Sequence, residues 1–138
     1  MHQRQLDKLR QSAQASLMSN AKWRKLFEAA AQMQPKLGGV EWQLLGNDST
    51  VIAELDVADA LVADNSRFDD CLPFPCMELR DIDWIFVPKQ FADPRSDAKR
   101  PLPAKDNDVA GFIALLAQMG QFPLQQNAQG VTIFGYQW

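Results

Sequence analysis

Between residues 34 and 40 the apolar period of this chain changes from helical to extended, and that change constrains the fold more than any other feature of the sequence. Upstream, Trp23, Leu26, Phe27 and Ala30 recur at i, i+3, i+4 and i+7 behind Ser19-Asn20, whose short side-chain oxygens can accept from the free amides of a first helical turn. Pro35 disfavours helical geometry in the residue before it and Gly38-Gly39 supplies a loop, so the helix is expected to stop near Gln34. From Val40 the period is two, with Val40, Trp42 and Leu44 on one side and Glu41 and Gln43 on the other. Gly46-Asn47-Asp48-Ser49 is turn chemistry, and Val51, Ala53 and Leu55 resume the alternation, although Ile52 interrupts the polar face. Residues 40–56 therefore read as a hairpin with a four-residue connection.

The remaining elements extend this pattern. Leu6, Leu9, Ala13 and Leu17 make a narrow stripe that predicts a weakly driven helix over 4–18, an N-terminal extension of residues 1–18 on a single domain of residues 19–138. Residues 57–63 fit a third strand or a short helical turn, with strand preferred. Pro73-Phe74-Pro75 predicts an ordered non-helical corner, followed by a strand over 81–87 with Ile82, Trp84 and Phe86 on one face and Asp83, Ile85 and Val87 on the other. Pro88 ends that strand, and residues 89–105 predict a long exposed loop. Asp106-Asn107-Asp108 opens a helix whose Val109, Phe112, Ile113 and Leu116 form a stripe closed by Gly120, and residues 121–137 read as a final hairpin with Phe122, Ile133 and Tyr136 at least partly buried. Sequential hairpins without βαβ alternation predict an α+β domain: an antiparallel sheet of about five strands with helices packed on one face. Trp23 and Trp84 are both expected to be mostly buried.

With 138 residues, 46% of them apolar, the chain can bury a core without metal or disulfide support. No window approaches the roughly 18 uninterrupted apolar residues of a membrane span, and no apolar stretch follows Arg4, Lys8 and Arg10 as a secretory signal requires. The reading is cytoplasmic, with no membrane partner and with Cys71 and Cys76 as small, partly buried thiols. Charge is unevenly distributed. Residues 1–36 carry seven Lys/Arg against Asp7 and Glu28, a balance of +5, whereas residues 48–83 carry ten carboxylates against Arg67 and Arg80, a balance of −8.

Catalytic chemistry has little material to work with. The only histidine is His2, which removes Ser-His and Cys-His catalysis and leaves the two cysteines short of a closed zinc site. No phosphate-cradling glycine motif opens a helix. The sequence thus assigns no catalytic residue, no metal site and no cofactor. Asp69, Asp70, Glu78, Asp81 and Asp83 can be read as a Mg²⁺-holding or acid–base carboxylate set, or as a solvated acidic surface, and the second reading is preferred. Exposure is expected for Asp69, Asp70, Asp81 and Asp83, because an unpaired buried carboxylate is costly and only Arg67 and Arg80 are near in sequence. Lys22-Trp23-Arg24-Lys25 resembles a nucleic-acid contact, but Trp23 belongs to the apolar stripe, so a core tryptophan with a solvated basic face is preferred and nucleic-acid binding is not expected.

SNAKWRKLF at 19–27, the PFP corner with ELRDIDWIFVP at 78–88, and GQFPLQQNAQGVTIFGY at 120–136 together resemble a family of small bacterial domains of uncharacterised activity. The resemblance spans most of residues 19–136 and implies a fold more than an activity. The functional expectation is a non-enzymatic protein-binding factor, of accessory or immunity type, whose acidic stretch meets a basic protein partner. A small carboxylate-based metal-dependent enzyme, or nucleic-acid binding through the basic N-terminal helices, is the alternative.

Overall fold

The helix expected behind Ser19 forms as α2, Asn20–Ala31, with the Ser19 hydroxyl accepting from the Lys22 amide at 3.1 Å. Its apolar face is Trp23, Leu26, Phe27, Ala29 and Ala30, all buried. Trp23 stacks on Phe27 with ring centroids 6.3 Å apart, and Phe27 on Trp42 at 5.6 Å, so the helix is locked to the sheet through a file of three rings. The computed structural model that shows this describes residues 3–55, 67–68 and 77–138; residues 57–63, the Pro73-Phe74-Pro75 corner, Cys71, Cys76, Asp69 and Asp70 lie outside the described residues.

The sheet is five-stranded and antiparallel. Its order is β3 (Val51–Ile52), β2 (Glu41–Leu44), β6 (Ile82–Pro88), β10 (Gly130–Phe134), β9 (Leu124–Gln126). The hairpin read from residues 40–56 is the β2–β3 pair, in which Trp42 faces Val51, and the final hairpin is β9–β10, in which Thr132 faces Gln125. Trp42, Ile85 and Ile133 sit side by side across three strands, and together with Val87 and Val131 they form the buried face. Packed against that face are α2 and α3 (Val109–Met119), the latter through Val109, Phe112 and Leu116. Asp108 caps α3 by accepting from the Gly111 amide at 2.9 Å. The α+β architecture is as expected.

One strand departs from the expected alternation. In β6, Gln43 of β2 pairs with Trp84 but Leu44 pairs with Ile82, so Asp83 is an extra residue in the ladder. This bulge resets the phase: Ile82 joins Ile85 and Val87 in the core, and Trp84 and Phe86 fall on the opposite, half-buried face. Trp23 is 1% exposed, as expected, whereas Trp84 is not core. Strict period-two reading cannot register an inserted residue.

The N-terminal region also differs. Helix α1 runs Gln3–Ser12 and stops well short of residue 18, because Ala15–Ser16 (β1) pairs instead with Tyr136–Gln137 (β11). The Gln14 amide donates to the Gln137 carbonyl at 2.7 Å and the Leu17 amide to that of Gly135 at 2.8 Å, so tertiary pairing overrides a weak helical stripe. Gly135, between β10 and β11, lets the chain pass close to β6. A Cβ there would lie 2.5 Å from the Ile82 carbonyl and 2.9 Å from that of Asp83.

The segment expected to be a long exposed loop has a paired base, Gln90–Phe91 (β7) against Lys105–Asp106 (β8). Asn107 pins that base to the body: its side-chain oxygen accepts from the Gly38 amide at 2.9 Å, and its nitrogen donates to the Gly38 and Pro88 carbonyls at 2.8 and 2.7 Å.

Candidate functional site at the acidic corner

Three of the five carboxylates singled out from the sequence lie in one short stretch, where Glu78 ends β5 (Met77–Glu78, paired with Arg67–Phe68, β4) and a single 3₁₀ turn, Leu79–Asp81, leads into β6. Leu79 is fully buried and anchors the turn. The turn sends the three acidic side chains to three different partners.

Asp81 is the correction. Expected at the surface, it is 6% exposed. One oxygen accepts from an Arg10 guanidinium nitrogen at 2.8 Å, and the other from the Glu78 amide at 3.0 Å. Arg10 also pairs with Asp7 on its own helix, and its side chain is only 12% exposed. The cation that neutralises Asp81 therefore lies 71 residues away, on α1, where a search for basic neighbours in sequence does not look. A buried carboxylate with charge-assisted donors on both oxygens is a structural group.

Glu78 and Arg80 pair with each other at the surface, and the hydrogen bond to Glu78 raises the Arg80 pKa. Asp83, half-buried, accepts from the indole N–H of Trp138 at 2.9 Å. Trp138 is 48% exposed and its ring tilts against Tyr136 at 5.5 Å. The Tyr136 hydroxyl donates to the Arg80 carbonyl at 2.6 Å, and burial pushes its pKa up, so it stays protonated and committed as a donor. Beside these groups lies a cleft of about 430 Å³ whose walls include Arg10, Ser16, Arg80 and Tyr136.

Glu78, Asp81 and Asp83 are thus neighbours in sequence without converging on a common point. Among the described residues no group of three His, Cys, Asp or Glu side chains is placed to hold a metal ion. What the corner offers instead is an exposed indole held by the Asp83 carboxylate, beside Asp7 and Asp81 paired with Arg10 and Glu78 paired with Arg80. Sequence reasoning places Arg10 only in the basic front and gives Trp138 no role, and no local pattern points either of them to this corner. On the basic front, Trp23 is buried in the core and is no platform for a base. A second cleft, of about 700 Å³, lies at the Asn107 junction between Phe86, Lys89, Asp106, Asp108 and Gln129. No described helix is long and apolar enough to cross a membrane. Comparison with family models, with curated proteins and with solved structures gives no match to this chain.

Proposed function

We propose that this chain is a non-enzymatic protein-binding factor, of accessory or immunity type, that receives a basic segment of its partner at the corner formed by Asp83, Trp138 and Glu78. The observation that carries the reading is the half-exposed Trp138 indole held by the Asp83 carboxylate. An arginine laid on such a ring gains the attraction of its π face and meets a carboxylate at the ring's edge, and rigid aromatic anchors beside charge are what protein interfaces rely on. Asp69 and Asp70 belong to the same acidic stretch and complete the partner surface in this reading. The carboxylate-enzyme alternative is less well supported, since both oxygens of Asp81 are engaged by Arg10 and by the Glu78 amide.

The test is a ¹⁵N NMR titration of the full chain with an octa-arginine peptide, with octa-glutamate as control. The Trp138 indole N–H resonance should move with the basic peptide alone, with an affinity that falls as salt rises and is weakened in Asp83→Lys. An indole resonance that stays in place, or an affinity equal in Asp83→Lys, removes the proposal.

A further inference from the structure

Every one of the 14 Lys/Arg and 17 Asp/Glu residues of the chain precedes Val109, so residues 109–138 form α3, β9, β10 and β11 without a single charged side chain. One contiguous part of the surface, the outer side of α3 and the sheet edge β9, is built wholly from this stretch. Ala110, Ala114, Ala117, Gln121, Gln125 and Gln126 are exposed there. Among the described residues, the apolar side chains that pack on the core yet remain partly exposed come mostly from the same stretch of sequence: Ile113, Leu115, Met119, Phe122 and Leu124. Between α3 and β9 runs a cleft of about 380 Å³ with Ile113, Ala117, Phe122 and Leu124 in its walls.

The edge itself has defined polarity. The Asn127 amide donates to the Gly130 carbonyl at 2.9 Å and the Phe134 amide to the Pro123 carbonyl at 3.1 Å, and Gln125 faces Thr132 midway between these pairs. By the alternation of an antiparallel ladder, Gln125 turns its backbone groups toward β10, whereas Leu124 and Gln126 turn theirs outward. As the last strand in the order, β9 has no further ladder partner among the described residues. Natural edges are usually blunted by charge, and this one carries none.

We infer that β9 and the outer face of α3 form a self-association surface whose occupant is a second copy of the chain, the two β9 strands pairing antiparallel about a twofold axis at Gln125. In that register Leu124 of one copy exchanges both backbone hydrogen bonds with Gln126 of the other, and the same exchange recurs across the axis, continuing the sheet through both molecules. The symmetry of the edge selects the occupant. The edge is its own complement about Gln125, since the outward N–H and C=O of Leu124 meet the C=O and N–H of Gln126 in a second copy, and although each molecule has a net charge of −3 this contact brings no charged side chain of the two strands together. Three paired residues per strand are too few alone for a stable dimer, which buries roughly 1,200–2,000 Å². The exposed alanines of α3 and the apolar cleft beside β9 supply the remaining contact, since small side chains let two helices approach closely.

Sedimentation equilibrium of the full chain over micromolar to submillimolar concentrations tests the assembly, and amide hydrogen exchange tests its register. The expected result is a reversible dimer in which the Leu124 and Gln126 amides gain protection as concentration rises, while that of Gln125, already paired within the protomer, does not. Gln126→Pro removes an outward amide, and Ala117→Lys places an exposed charge on the helix face. Each should raise the dimer Kd at least tenfold with an unchanged circular dichroism spectrum. A chain that stays monomeric throughout, or a dimer indifferent to both variants and to protection at Leu124 and Gln126, overturns the inference.

Discussion

The corner at residues 78–83 and the segment 109–138 show opposite uses of charge. In the corner each carboxylate is engaged: Asp81 is buried against Arg10 from α1, Glu78 is held by Arg80 at the surface, and Asp83 by an indole. In the C-terminal segment charge is absent, and apolar periodicity, with the Asp108 cap before it, sets α3 and the β9–β10 hairpin. The contrast shows that a run of charge in sequence is not a surface field. The balance of −8 over residues 48–83 overstates the field of the described part of that stretch, because Asp81 is neutralised by a cation from outside it.

The largest effect is expected in the core that both regions share. Trp23→Ala should destabilise by about 3–5 kcal/mol, since the ring is 1% exposed and starts the stack onto Phe27 and Trp42. Trp84→Ala, on the half-buried opposite face, should cost clearly less, about 1–2 kcal/mol. Urea unfolding of both variants decides this, and equal losses would mean that the bulge at Asp83 does not separate the two faces. Next is Asp81→Ala, which leaves the Arg10 guanidinium and the Glu78 amide without their acceptor and should cost about 2 kcal/mol. A melting temperature like that of the wild type would return Asp81 to the surface role first read for it, and would erase the comparison.

How much of this was legible depended on distance along the chain. The caps at Ser19 and Asp108, the stripe of Trp23, Leu26 and Phe27, and the alternation of Val40, Trp42 and Leu44 are local patterns, and each one formed. A single inserted residue in β6 was enough to put Trp84 on the wrong side, because period two has no memory of phase across a bulge. The pairing of β1 with β11 and of Arg10 with Asp81 joins segments more than 70 residues apart, and no property of either segment alone announces the other. In sequence Asn107 looks like part of a helix start, whereas the cap is Asp108 and Asn107 is the clamp.

A third test lies in the 89–105 segment, where charge is again used locally. Asp93 accepts from the Arg95 amide at 2.9 Å and from its guanidinium at 3.1 and 3.2 Å, and these hydrogen bonds lower its pKa from 3.8 to about 2. Because the folded value lies below the unfolded one, the stabilisation is complete above about pH 4 and is lost as pH falls through about 2. The ¹³C shift of the Asp93 carboxyl should titrate near the lower value, and Arg95→Ala should bring the midpoint back toward 3.8. A midpoint near 3.8 in the wild type would show that this turn is not closed by its own charge.

The smallest stability effect is expected two residues from one of the largest. Asp83→Lys removes an acceptor from an indole that is already half in water, and the backbone role of residue 83, its carbonyl accepting from the Gly135 amide at 2.7 Å, does not depend on the side chain. Water can replace the lost partner of the Trp138 N–H, so the change in unfolding free energy should stay within about 0.5 kcal/mol. Reversing this charge should nonetheless weaken capture of an arginine-rich peptide and flatten its salt dependence, because the carboxylate at the edge of the ring becomes a cation. Asp81→Lys places a cation against Arg10 and should unfold the corner instead. Thermal melts and peptide titrations of the two variants side by side separate the structural carboxylate from the one available to a partner: if Asp83→Lys destabilises as much as Asp81→Lys, the whole corner is framework and the partner's contact must be sought elsewhere.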